Sequence, residues 1–116
     1  MEKIALGQIN IEYGNYDKNV AIALDIIQSA VNSGCGLILL PELWSSGFSY
    51  SNLHIFAKKN LELVTNLQEL ADKNNIAIAG SLIQQTTEGF FNTFQLIQPH
   101  TDVVSYKKNH LFSLMK

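Results

Sequence analysis

Two segments restrict this chain most: Gly36-Leu37-Ile38-Leu39-Leu40 and Ile76-Ala77-Ile78-Ala79-Gly80-Ser81-Leu82-Ile83, each apolar at almost every position. A strand with one wet face alternates polar and apolar residues, whereas a strand covered on both faces reads as a continuous apolar run. Both segments therefore read as central strands of a parallel sheet. Parallel neighbours need a crossover of a dozen or more residues. The intervening sequence supplies one, because Leu53, Phe56, Leu63, Val64, Leu67, Leu70 and Ala71 recur at helical spacing. The spacing predicts a helix that stops at Asn74-Asn75 and is interrupted near Asn60. A Ser- and Gly-rich loop over residues 44–51 precedes it.

The same unit appears earlier in the chain. Lys3 to Asn10 is a short apolar segment followed by the turn formers Tyr13-Gly14-Asn15, which suits a buried strand. From Asp17 to Asn32, Val20, Ala23, Leu24, Ile27 and Val31 mark one face of an amphipathic helix, with Gly34 as its stop. After the third strand, the turn signal Thr87-Glu88-Gly89 leads into Phe91 to Ile97, and a further turn at Pro99 to Asp102 leads into Val103 to Lys107. The predicted order is β-α-β-α-β-β-β, an α/β arrangement in which the 116 residues form one domain.

That order leaves one face of the sheet bare. Crossovers between parallel strands are right-handed, so two helices joining strands added in one direction fall on the same side. The other side would expose more apolar area than monomers tolerate. The segment His110-Leu111-Phe112-Ser113-Leu114-Met115-Lys116 is also too apolar for a frayed tail. Both features predict a chain that is part of something larger, with a missing C-terminal half or another chain over the open face.

Composition removes several function classes. Eight basic residues against ten acidic ones give a formal charge of −2, which offers no phosphate-binding surface, so no nucleic-acid partner is expected. No apolar run reaches the ~18 residues of a membrane span, so the expectation is a cytoplasmic protein without a membrane partner. The single Cys35 agrees with a reducing compartment. His54, His100 and His110 lack ligand spacing, and Gly7 and Gly14 make no Gly-rich phosphate turn, so no metal or other cofactor is expected.

Ligands of open α/β sheets bind beyond the carboxyl ends of the strands, and Glu42 stands there, fixed by Pro41 and flanked by Leu40 and Leu43. Low-dielectric surroundings would raise its pKa toward use as a general base; the alternative is a solvated strand-end glutamate. Lys108 is the second candidate. Successive side chains on a strand alternate, so one of Lys107 and Lys108 faces inward if the other faces water. An inward lysine can stabilise an oxyanion, against the commoner surface pair.

Leu37-Ile38-Leu39-Leu40-Pro41-Glu42-Leu43-Trp44 with Gly47-Phe48, then Ile78-Ala79-Gly80-Ser81, Phe91-Asn92-Thr93 and Tyr106-Lys107-Lys108-Asn109-His110-Leu111-Phe112 together resemble the carbon-nitrogen hydrolase family, the nitrilase superfamily. Order and spacing match along the whole chain. Ser46-Gly47-Phe48 and His110 to Met115 resemble its omega-amidase-like branch. The resemblance implies half of an αββα four-layer sandwich, with residues 1–116 as the N-terminal portion of the domain. It implies hydrolysis of small linear amides by a Glu-Lys-Cys triad in which Glu42 is the base and Lys108 stabilises the tetrahedral intermediate. A homodimer is also implied.

The family's cysteine lies beyond the lysine, and Cys35 does not replace it. About six residues at roughly 3.3 Å each separate Cys35 from Glu42 along strand two, on the order of 20 Å, too far for proton transfer. Cys35 reads as a packed turn residue, and the chain alone is expected to be inactive. Asn92 reads as a turn or backbone hydrogen-bonding residue, and His110 as a hydrogen-bonded residue steadying the turn behind Lys108. Trp44 and Phe48 either line the acyl pocket or pack over a loop. The rival reading is a noncatalytic module that binds a partner through its exposed apolar face.

Overall fold

The computed structural model describes residues 3–111. The expectation for the apolar segment 110–116 falls mostly outside that range. Seven elements follow in the predicted order: β1 (Lys3–Leu6), α1 (Tyr16–Asn32), β2 (Cys35–Leu39), α2 (Leu53–Asn74), β3 (Ala77–Thr86), β4 (Gly89–Ile97) and β5 (Val104–His110). The strands form one five-stranded sheet in sequence order. β1, β2 and β3 pair in parallel, and β3, β4 and β5 form an antiparallel meander.

The ends of the helices follow from local chemistry. Asn15 caps α1 by accepting from the Lys18 N–H at 3.4 Å. Gly34 leaves it at φ +77°, a conformation glycine adopts without penalty. Asn75, at φ 52°, closes α2 by donating its N–H to the Ala71 carbonyl, the left-handed role asparagine tolerates best after glycine.

Three expectations need correction, one of them at β5, which continues past the predicted Lys107 to His110 and so takes Lys108 into the strand. β1 stops at Leu6, short of the predicted Asn10. The Gly7 N–H still reaches the carbonyl of Leu39, the last residue of β2, at 2.8 Å. Beyond it β2 has ended, so residues 8–10 have no strand to pair with. The predicted interruption of α2 is also absent. Asn60 sits inside one continuous helix, buried at 4% exposure. Its Oδ1 accepts from Tyr16 Oη at 2.8 Å and from Ser45 Oγ at 3.1 Å, while its Nδ2 donates to the Ile83 carbonyl at 2.9 Å. One amide thus joins α1, the loop after β2, α2 and β3, and burial pushes the Tyr16 hydroxyl pKa up.

Register assigns each strand residue to a face. Ala5, Ile38, Ile78 and Ile97 stand in one row across the sheet and share a core with Ala23, Ile27 and Ala30 of α1 and Leu63, Leu67 and Ala71 of α2. Leu6, Leu39, Ala79, Leu96 and Val104 form the opposite row. On that face Ile4 is 57% exposed, Leu6 71%, Val104 55% and Tyr106 69%. Both helices lie on one side; the opposite face is open along β1 and β5, as the crossover argument expects, while Ala79 and Ile83 of β3 on that face are buried at 2% and 1% exposure.

Candidate active site

β2 hands the chain to a tightly determined turn. The Leu40 N–H still bonds to the Ala79 carbonyl at 2.7 Å, and Pro41 then removes a donor and ends the ladder. Glu42 comes next. Leu43 behind it is fully buried and adopts φ 48°, a left-handed conformation uncommon for a branched side chain. Its N–H donates to Ser81 Oγ on β3 at 2.9 Å, and its carbonyl accepts from the Gly47 N–H at 2.7 Å. Gly47 is required here: at φ +67° its place for a Cβ lies 2.7 Å from the Tyr13 ring. These contacts fix the backbone that carries the glutamate.

Lys108 reaches the same place through a bulge. Thr93 pairs with Lys107 and Asn92 with Asn109, so Lys108 is the extra residue on β5, and bulges re-aim side chains in this way. Its Nζ lies 2.8 Å from Glu42 Oε2. Asn92, fully buried on β4, donates its Nδ2 to the same Oε2 at 2.7 Å. The alternation argument holds for direction, because Lys107 turns instead to Glu88 and the Phe91 ring. It does not hold for burial, since the Lys108 and Glu42 side chains are 41% and 38% exposed.

That exposure overturns the expectation of a raised Glu42 pKa. The hydrogen bond from Lys108 holds the carboxyl below its usual value; partial burial opposes this, and the Asn92 bond and the Lys108 charge add to it. Asn92 is a second correction. Its side chain bonds to the carboxylate, not to a turn or the backbone. The signal was its place in Phe91-Asn92-Thr93, but only strand pairing reveals what it faces.

The other candidates stand apart. Cys35 opens β2, at the end opposite the one Glu42 follows. Trp44 is 2% exposed and lies against Gly80, where a Cβ would approach its ring to 2.8 Å. It is packed into the core, while Phe48 remains partly exposed. His110 ends β5 and stacks on Phe91 with ring centroids 4.6 Å apart. Among the described residues no helix is long and apolar enough to cross a membrane.

Residues 3–116 match the carbon-nitrogen hydrolase family along nearly the whole chain. The chain belongs to the carbon-nitrogen hydrolase family. It is 29% identical over 111 residues to the 2-oxoglutaramate amidase of Bacillus subtilis, covering 93% of this chain and 42% of that protein. It is 34% identical over 83 residues to the omega-amidase YafV of Escherichia coli, covering 72% of this chain and 32% of the relative. The solved amidase from Nesterenkonia sp. AN1 superposes with a TM-score of 0.77 at 27% identity, covering 93% of this chain and 44% of the amidase. A variant of that amidase carries acrylamide added to its active-site cysteine. The chain therefore spans less than half the length of these carbon-nitrogen hydrolases, and its fold is theirs over that span.

Proposed function

We propose that this chain is the N-terminal part of a carbon-nitrogen hydrolase that cleaves small linear amides, omega-amidase-like in substrate. Glu42 is the general base, and Lys108 stabilises the tetrahedral intermediate. The observation that carries the reading is the convergence of Lys108 and Asn92 on one oxygen of Glu42, at the carboxyl end of β2 where ligands of such sheets bind. The names of the amidase relatives support the substrate class.

The nucleophile is a cysteine supplied by sequence outside this chain. Glu42 takes the thiol proton, the thiolate attacks the amide carbon, and Glu42 returns that proton to the departing nitrogen, so that ammonia leaves as the thioester forms and the carboxylate is free again. A water that gives its proton to Glu42 then hydrolyses the thioester. Lys108 gives one ammonium N–H to Glu42 and has two more for the developing oxyanion. Magnitudes say what else the reaction needs. A glutamate of ordinary pKa takes a proton from an ordinary thiol at a cost of ~6 kcal/mol, and more when its pKa is lowered. The rest of the protein offsets this by covering the open face, which dries the pair and raises Glu42, while the Lys108 charge favours the thiolate. We assign the working enzyme to the cytoplasm, as a homodimer.

Ammonia release from small linear amides tests the reading. The purified chain is expected to release no more than its Glu42→Ala variant. A fusion to the C-terminal part of the Bacillus subtilis amidase is expected to be active and to lose that activity in Glu42→Gln or Lys108→Met. Equal activity of a folded Glu42→Gln fusion would sink the assignment.

A further inference from the structure

Both donors at the site meet Glu42 on a single atom. Lys108 Nζ and Asn92 Nδ2 lie 2.8 and 2.7 Å from Oε2, and no hydrogen bond from the described residues reaches Oε1. Building on the assignment of Glu42 as base, we propose that Asn92 is a positioning residue that docks the glutamate through Oε2 and so makes Oε1 the atom that receives and returns the proton.

The two donors do different work. Lysine brings charge on a flexible stem, whereas asparagine has two side-chain torsions and here stands on a paired strand between Ile83 and Asn109. An ionised carboxylate only accepts, so the Asn92 amide nitrogen must face it and Oδ1 must turn away. Oδ1 is buried and, among the described residues, has no hydrogen-bond partner. A buried polar atom left unsatisfied is costly, and so small a group would pack better as an apolar residue if packing were its role. The amide therefore sits where it is to hold Glu42. Proton bookkeeping agrees. When a thiol or water gives its proton to Oε1, Glu42 becomes neutral, and Oε2 still accepts from both donors. Protonation of Oε2 would use one of its two acceptor positions and displace at least one of the donors. Docking through one oxygen lets Glu42 cycle its proton without moving. Among the described residues Lys108 is the charged group in contact with Glu42.

Carbon-detected NMR titration of the Glu42 carboxyl in this chain tests the idea without any activity. Asn92→Leu, with the same heavy-atom branching and without a donor, is expected to raise the Glu42 pKa by roughly half a pH unit. Asn92→Asp, closest in shape, is expected to raise it further by adding a second carboxylate. Asp72, held by the His100 N–H and Gln68, is the internal control and is expected to stay in place. If Asn92→Leu fails to fold, Asn92→Asp decides. In the unaltered chain the Asn92 side-chain amide signals are expected to stay shifted downfield below the Glu42 pKa. Collapse of those signals as Glu42 protonates, an unmoved Glu42 pKa in a folded variant, or an equal movement of Asp72 overturns the proposal. Failure of the base assignment would appear separately, as Glu42-independent ammonia release by the fusion.

Discussion

On the helix-covered face of the sheet Ile38, Ile78 and Ile97 are at most 2% exposed, whereas across the same backbone Ile4 and Leu6 on β1 and Val104 and Tyr106 on β5 stand more than half in water. Side chains of similar size occupy both faces. The difference is therefore one of connectivity: two crossovers of the same hand deliver α1 and α2 to one side. The lesson is that the chain carries apolar area for two cores and completes one. The site lies where the two faces meet, since Glu42 leaves the end of β2 and Lys108 rises from the exposed strand β5.

Mutations can break this contrast. The largest effect is expected on the completed face, where Ile78→Ala removes a buried side chain at the centre of the sheet and costs about 2–5 kcal/mol in chemical denaturation. A cost as large for Leu6→Ala would show that the open face is structurally covered too. Next comes the polar tie above that core. Asn60→Ala leaves the Ile83 carbonyl and the Tyr16 and Ser45 hydroxyls without their partner and is expected to cost about 1–3 kcal/mol by the same measurement.

A smaller effect is expected at the junction. Because Glu42 titrates below its ordinary value in the folded chain, its contribution to stability is present above the unfolded value of about 4.3 and fades as pH falls through the folded value. Lys108→Met removes the largest cause, so the denaturation midpoint of that variant is expected to fall less between about pH 5 and pH 3 than that of the parent. The half-exposed pair makes this difference modest. The smallest change in stability is expected on the open face. Leu6→Ser with Tyr106→Ser is expected to alter stability by less than about 0.5 kcal/mol while reducing self-association in sedimentation, which sharpens the contrast between a core and an unmet interface.

Much of this was readable in the residues. The continuous apolar runs of β2 and β3 gave their parallel pairing, and the Pro41-Glu42 step gave the place of the glutamate at the end of β2. Asn60 and Asn92 were misread because a polar residue inside an element has no local signal for what it faces. The partners of Asn60 lie 15, 23 and 44 residues away, and that of Asn92 lies 50 away. The bulge at Lys108 was equally hidden, since a one-residue slip between two strands leaves no mark on either sequence alone. The raised pKa expected of Glu42 failed for a related reason: its immediate neighbours are apolar, but the lysine that controls it arrives from β5.

The ion pair between Glu42 and Lys108 spans 66 residues of sequence, which sets a timetable at the ribosome. At about 5–20 residues per second, the lysine follows the glutamate out by roughly 3–13 s. For that interval β1, β2 and the two helices can already associate while Glu42 waits uncompensated at the end of β2. The glutamate is therefore placed early and tuned late, when the β4–β5 hairpin closes beside it.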